Sequence, residues 1–345
     1  TICEDGWYDV TAAGYRQHNN NPMEDYDDIE LMINISASPF RVGKLSERVR
    51  RFQEHSNLIE CPILFVNQVG GNDEILFDGA SFLVSENGVK TSLQRFEEDY
   101  ETIHLGGGLS GLSQKISEDD RSEQIREAIV MGIRDYFDKC GFDEAVIGMS
   151  GGVDSSLTTV LAVEALGVDN VYGVTLPSSV NSAESAGDAK RVAESLGIEF
   201  DEISINEMVG SVEQPLYDSN SDNIVVYENI QARLRGLVLM TISNKRGSLV
   251  LTPDNKSEGA VGYCTLYGDT VGAIAPLGDT YKEDVYNIAT KYENQDIIPE
   301  RVLNKEPSAE LSKGQVDEDD IPKYEKIDSI IRKHVEDNKS KKDID

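Results

Sequence analysis

Residues 146–157 read VIGMSGGVDSSL, an apolar run, two adjacent glycines, an aspartate, two serines, and then apolar residues at helical spacing. A strand that leads through such a turn into a helix needs backbone conformations that glycine supplies. Gly151 and Gly152 also let backbone N–H groups approach a ligand closely. Leu157, Val160, Leu161 and Ala165 fall on one face of the helix that follows. Its uncompensated N–H groups and positive dipole end point back at the turn. The turn therefore suits an anion such as phosphate. Ser150, Ser155 and Ser156 add hydroxyls, while Asp154 would repel phosphate unless a divalent cation stood between them. A plain Gly-Gly turn with a Ser/Asp helix cap is the structural alternative.

Working outward, the chain alternates from about residue 120. A helix in SEQIREAIVMGIRDYFDKCG precedes the AVIGM strand, and a helix over 155–166 follows the turn. Then come strand NVYGVTL, helix AESAGDAKRVAESLG, strand IEFDEISI, a long helix around NIQARLRGLVLMTISNK, and strand SLVLT. Repeated strand-helix-strand units predict an α/β fold with a doubly wound parallel sheet, helices on both faces. Upstream, ELMINISASPF, CPILFVNQVGG and EILFDGASFLVSENG read as three strands, with a polar helix in KLSERVRRFQEHS. Between these regions lies a charged, Gly-rich stretch. Its HLGGGLSG holds a formal GxGxxG at Gly106, Gly108 and Gly111, but no strand leads into it, so it reads as linker.

A length of 345 residues accommodates two domains. No apolar run approaches the roughly 20 residues of a membrane-spanning helix. The formal net charge of −31 argues against nucleic-acid partners, and its spread along the chain is read as adaptation to high salt. Cys3, Cys61, Cys140 and Cys264 form no disulfide-like spacing, which fits a reducing cytoplasm. The opening TICEDGWYDV carries neither initiator Met nor signal peptide and reads as a truncated start.

A Walker loop would place a Lys near the terminal phosphates for γ-phosphoryl transfer, and that Lys is missing here. SGGVDSS instead resembles the pyrophosphate-binding loop of the ATP pyrophosphatases, which cut ATP between its α and β phosphates. Further downstream, NIQARLRG (229–236), LTPDNKSEGAVGYCTLYGD (251–269), APLGDTYKEDVYNIA (275–289) and PSAELSKGQVDEDDIPKY (307–324) together resemble NAD synthetase. LPSSVNSAESAGDAKRVAESLGI (176–198) is similar to the loop and helix after that family's second strand. The resemblance implies an adenine nucleotide alpha hydrolase-like domain over 120–345. Its activity would be amidation of deamido-NAD with ATP and Mg²⁺ through an adenylated intermediate.

Carried over by motif, Ser150, Gly151, Gly152, Ser155 and Ser156 correspond to the pyrophosphate cradle. Asp154 and Glu258 correspond to Mg²⁺ ligands, and Thr175, Leu176 and Thr252 to the ATP site. Arg233 and Asp269 correspond to residues around deamido-NAD, and Lys282 to a Lys that reaches substrate phosphate. One departure stands out: the family usually has Gly before the NKSE run, where this chain has Pro253 and Asp254. The resemblance also implies a homo-oligomer, dimer or larger.

TICEDGWYD resembles the nucleophile strand-turn of nitrilase-type amidases, and the segments to about residue 100 resemble the glutaminase domain of glutamine-dependent NAD synthetases. The implied organisation is the C-terminal part of an α-β-β-α nitrilase-like domain over 1–100, a linker over 101–119, and the synthetase domain. Cys3 corresponds to the nucleophile that would hydrolyse glutamine through a thioester, with Glu and Lys partners expected upstream of it. A sheet surface left uncovered is expected there. Two alternatives stay open: another ATP-pyrophosphatase amidotransferase such as a GMP synthetase, and a non-catalytic nucleotide-binding protein.

Overall fold

The computed structural model describes residues 1–8, 20–26, 28–104, 120–216 and 224–344. The glycines of the formal GxGxxG and most of the expected linker lie outside the described residues. Two compact units divide the chain, Thr1–Tyr136 and Phe137–Asp345.

In the first unit, β1 (Met32–Ser36), α1 (Lys44–Leu58) and β2 (Ile63–Asn67) form a strand-helix-strand unit with the strands parallel. β3 (Val69–Asn72) and β4 (Ile75–Asp78) pair as a separate hairpin. β5 (Phe82–Ser85) and β6 (Gly88–Ser92) extend the main sheet antiparallel, in the order β1-β2-β5-β6. The single strand expected over EILFDGASFLV is thus two. Gly79 and Ala80 both take positive φ, +60° and +52°, which no continuous strand tolerates, and there the chain leaves one sheet for the other. Phe52, Phe65 and Phe82 fill the core, with the Phe65 and Phe82 rings stacked at a centroid distance of 5.0 Å.

β1 inverts the usual alternation. Asn34 and Ser36 face inward and bond to each other at 2.6 Å, while Ile33 and Ile35 are exposed beside Ile2 and Val66. Below this sheet, Arg48 is fully buried against Asp78 (Nη1 to Oδ1, 2.7 Å), and it also donates to Ser38 Oγ and to the carbonyls of Ser38 and Pro39. One side chain thereby ties α1 to the ends of β1 and β4.

α2 (Arg121–Cys140) leads to the second sheet, formed by β7 (Ala145–Gly148), β8 (Val171–Thr175), β9 (Glu199–Glu202) and β10 (Leu249–Leu251). All pairings are parallel and the order is β10-β7-β8-β9. β7 and β8 are buried along almost their whole length, as the apolar runs in sequence require of a sheet covered on both faces. Val146, Tyr172, Val174 and Val250 pack towards α5 (Asn206–Leu216) and α6 (Ile224–Arg246). The alternate side chains point to the opposite face. There α3 (Val153–Leu166) and α4 (Ala183–Leu196) contact the sheet.

α3 begins two residues before its expected start because Gly152 serves as its N-cap. From β7 the chain winds outward to β8 and β9, then returns so that β10 lies on the other side of β7. Ligands of doubly wound sheets bind at the carboxyl ends of strands at such a reversal. In this sheet that place is the end of β7 beside the end of β10. Among the described residues of the unit there follow the α-helices α7 (Lys256–Val261), α8 (Lys282–Glu293), α9 (Glu300–Asn304), α10 (Tyr324–Ile331) and α11 (Lys341–Ile344). No helix among the described residues is long and apolar enough to cross a membrane.

Breaking a buried ion pair costs about 3–5 kcal/mol, and without Arg48 the buried Asp78 keeps only its longer contact with Arg95, 3.6 Å away. Arg48→Met should therefore destabilise the first unit by roughly 3 kcal/mol. Trp7, the chain's one tryptophan and buried in that unit, reports the loss as a lower urea midpoint in its fluorescence.

Candidate active site

The turn after β7 is held open by glycine for a steric reason as well as a conformational one. Gly151 has φ +79°, and a Cβ built there would lie 2.1 Å from the carbonyl oxygen of Ser185. The loop hydroxyls organise one another: Ser150 Oγ lies 3.1 Å from Ser155 Oγ and accepts from the N–H of Gly152 at 3.2 Å. Ser155 Oγ accepts from the N–H of Ser150. Gly152 gives no side-chain cap to α3, so the N–H groups of its first turn face outward without one, as an anion site requires.

This loop opens into a cavity of about 260 Å³ at the carboxyl ends of β7, β8 and β10. Ser150, Gly152, Asp154, Ser155, Thr175, Leu176, Thr252, Glu258, Asp269 and Lys282 all line it, though they are scattered over more than a hundred positions of sequence. Gly151 does not line it, because its Cα face is taken by Ser185. Nor does Ser156, which is buried and donates to the carbonyl of Gly152 at 2.8 Å.

In the cavity wall the Lys282 ammonium bridges two carboxylates, 2.6 Å from Asp154 Oδ2 and 2.9 Å from Glu258 Oε1. Burial works against its charge, but Asp154 and then Glu258 outweigh that and hold its pKa above the usual lysine value. The expectation for Lys282 was contact with substrate phosphate; here its Nζ is engaged by the two expected metal ligands. Asn255 completes the frame, donating to Asp154 Oδ1 at 2.9 Å and capping α7 by accepting from the N–H of Glu258 at 3.0 Å.

Two anionic oxygen donors converging on one buried cation are what a hard divalent ion uses, and the ammonium stands in that position. Asp154 and Glu258 are thus suited to hold Mg²⁺.

Carboxylates outnumber cations in this half of the cavity. Burial, then Asp269, Glu258 and Asp154, push the Asp254 carboxyl up to about 7. Burial also raises Asp269, whose Oδ1 accepts the N–H groups of Thr265 (2.6 Å) and Thr270 (3.0 Å). Thr252 Oγ donates to the carbonyl of Asp269.

The opposite half is bounded by residues that sequence reasoning left unassigned. Arg235, two positions after Arg233, donates to the carbonyl of Leu176 (3.0 Å) and to Asn181 Oδ1 (2.8 Å) and lines the cavity. Arg233 is exposed, donates to the carbonyl of Leu266 at 3.2 Å, and does not line it. Helix geometry explains the difference: Ala232, Arg235 and Leu239 follow the i, i+3, i+7 stripe, and Arg233 lies some 200° around from Arg235. Glu310, at φ +49°, accepts from Ser185 Oγ (2.6 Å) and from Lys305 Nζ, closing that end with the 305–311 segment.

In the first unit, Thr1 and Ile2 run alongside β1 through a parallel bridge from Ile2 to Ile35, and Cys3 then turns the chain with φ +39° into a short 3₁₀ helix, Cys3–Trp7. Cys3 is partly exposed at this strand-to-turn corner.

The glycine turn at a strand-order reversal, its uncapped helix and its carboxylate-lysine centre define a doubly wound α/β domain with an anion-suited site at the carboxyl ends of its strands. The NAD synthase family model matches residues 125–345. The chain belongs to this family. Over its full length it is 40% identical to the glutamine-dependent NAD(+) synthetase of Synechocystis, 63% of which it covers. With that of Acinetobacter baylyi it shares 38% identity over 99% of the chain, again covering 63% of the relative. The chain thus spans a little under two thirds of these relatives' length. The glutamine-dependent NAD+ synthetase of Acinetobacter baumannii, solved with ADP, superposes with a TM-score of 0.79 at 34% identity, over 99% of this chain and 62% of that one. NMN synthetase of Francisella tularensis matches 64% of this chain and 88% of its own, at 30% identity and a TM-score of 0.57.

Because the Asp254 carboxyl titrates near 7 rather than at its ordinary 3.8, its protonated form favours the folded state. That contribution is complete below about pH 4 and is lost as pH rises towards 7. Asp254→Asn should raise stability at neutral pH, by at most about 4 kcal/mol, and flatten the fall between pH 4 and 7 in a series of thermal melts.

Proposed function

We propose that the chain carries the synthetase part of a glutamine-dependent NAD synthetase. In this reaction the nicotinate carboxylate of deamido-NAD attacks the α phosphorus of ATP and the α–β bond breaks. Pyrophosphate leaves, and ammonia then displaces AMP from the acyl carbon to give the amide of NAD. The observation that carries this reading is the Lys-free glycine turn opening onto Asp154, Lys282 and Glu258.

Each residue has a task in that scheme. Ser150, Gly152, Ser155 and the open first turn of α3 hold the departing pyrophosphate, whose charge the helix end favours. Gly151 keeps the turn close to Ser185. Thr175, Leu176 and Thr252 border the adenosine, and Arg235 fixes the carbonyl of Leu176 beside it. Asp154 and Glu258 would hold Mg²⁺, which neutralises phosphate charge when bound. Lys282 keeps a fixed positive charge between the same carboxylates. Asp269 borders deamido-NAD from the cavity wall, Arg233 acts outside the cavity by holding the carbonyl of Leu266 in the loop that carries Asp269, and Ser156 supports the turn from behind. Cys3, at its strand-to-turn corner, serves as nucleophile for glutamine in the whole protein, so that ammonia is supplied from glutamine or taken free. The protein works in the cytoplasm as a homo-oligomer, dimer or larger.

The likeness to an NMN synthetase favours one competing acceptor, a mononucleotide. Incubating the chain with ATP, Mg²⁺, ammonium and either deamido-NAD or nicotinate mononucleotide decides between them. NAD, AMP and pyrophosphate appearing in equal amounts, with deamido-NAD strongly preferred, is the expected result. Asp154→Asn should lower that rate on the order of 100-fold. Pyrophosphate release independent of the dinucleotide would point to another amidotransferase, and ATP binding without turnover to a non-catalytic protein.

A further inference from the structure

α8 starts at Lys282, yet the residue at its N-cap, Tyr281, makes no side-chain cap and donates its hydroxyl to Glu336 instead. The missing carboxylate comes from α10. Asp328, buried, accepts the N–H of Glu283 at 3.3 Å and the hydroxyl of Ser257. That same hydroxyl oxygen accepts the N–H of Lys282 at 2.9 Å. Ser257 precedes Glu258 in α7, so one carboxylate joins the backbone that carries Lys282 to the backbone that carries Glu258.

Tyr324, four residues earlier on the same face of α10, reaches the site directly. Its hydroxyl lies 2.7 Å from Asp317 Oδ2 and 3.3 Å from Glu258 Oε1, with the Lys282 ammonium 4.9 Å from its ring centroid. Asp328 itself does not line the cavity.

We propose that Asp328 is a positioning residue for the adenylation site: its bonds to Ser257 and to the start of α8 set where the Lys282 ammonium sits between Asp154 and Glu258. The role rests on the function proposed above, but its geometry does not. A carboxylate at a helix start is worth most when it both caps and fixes a neighbour, since a displacement of about 1 Å at a reacting centre can cost on the order of 100-fold in rate.

The test compares Asp328→Ala, Asp328→Asn and Ile331→Ala in the full chain. Ile331 anchors α10 through apolar contact with Tyr281 and takes no part in the polar link. The readouts are kcat, KM for ATP, melting temperature, and acylation of Lys282 by a succinimidyl ester followed by peptide mass spectrometry. Asp328→Ala should lower kcat about 100-fold while KM for ATP stays within about threefold, and Lys282 should acylate about tenfold faster with other lysines unchanged. Asp328→Asn keeps an amide oxygen for one of the two donors and should recover about tenfold in kcat. Ile331→Ala should lower the melting temperature while leaving kcat and Lys282 acylation within about threefold. Unchanged Lys282 acylation in Asp328→Ala, or the same kcat loss and acylation gain in Ile331→Ala, would overturn the proposal. Should the unaltered chain make no NAD, the functional reading fails, while Lys282 acylation still decides the role of Asp328.

Discussion

The second unit is organised around one buried charge, the Lys282 ammonium between Asp154 and Glu258. The three groups come from the first turns of α3, α7 and α8, and Lys282 stands 128 positions after Asp154. Only the return of β10 to the side of β7 brings those helix starts together. Once there, none of the three can be left alone, because an unpaired buried charge is far more costly than a paired one. A buried ion pair by itself adds little stability over apolar packing. A centre that is charged, largely buried and open to a cavity is therefore better explained by what it must meet there than by stability.

Local charge sharpens that view. Asp254, Glu258 and Asp269, which share this side of the cavity, are pushed towards protonation, with burial as the leading cause. Like charges gathered in low dielectric raise each other's pKa, and a cation relieves them all. A nucleotide phosphate entering alone would add to the repulsion; one entering with a divalent cation would reduce it. The same field gives Asp254 its weight, since Asp269, Glu258 and Asp154 all act on it.

Much of this was legible in the chain itself. The strand-helix alternation after residue 120 marked the parallel sheet, and the VIGMSGGVDSSL turn marked the edge where the cavity lies. What could not be read was direction and partnership. Both arginines of QARLR look alike in a motif, and only the phase of α6 puts Arg235 on the cavity and Arg233 on the surface. Ser156 sits in the right motif but on the inward side of the first helical turn. The contacts of Lys282 depend on Asp154 and Glu258, distant in sequence, and of Asp328 on Ser257 and Glu283, which no local pattern encodes. In the first unit, the positive-φ pair Gly79 and Ala80 split an apparently continuous apolar strand, a turn that alternation alone conceals.

α6 shows how a motif can be one mechanical piece. Arg235 holds the end of β8 through the carbonyl of Leu176, while one position later Gly236 lets another backbone approach: a Cβ there would lie 2.9 Å from the carbonyl oxygen of Tyr267 and 3.0 Å from that of Gly268. That approach seats the loop in which Asp269 gathers the N–H groups of Thr265 and Thr270, and Thr252 ties the same loop to the end of β10 through the carbonyl of Asp269. NIQARLRG, the residues after β10, and YCTLYGD are therefore one bonded frame, although they are separate stretches of sequence. Asp269 serves that frame with its carboxylate already committed to backbone N–H groups. The cavity wall it forms is for that reason rigid on the side where deamido-NAD is proposed to enter, and any change at Gly236 would be felt at Asp269 before it was felt at the nucleotide.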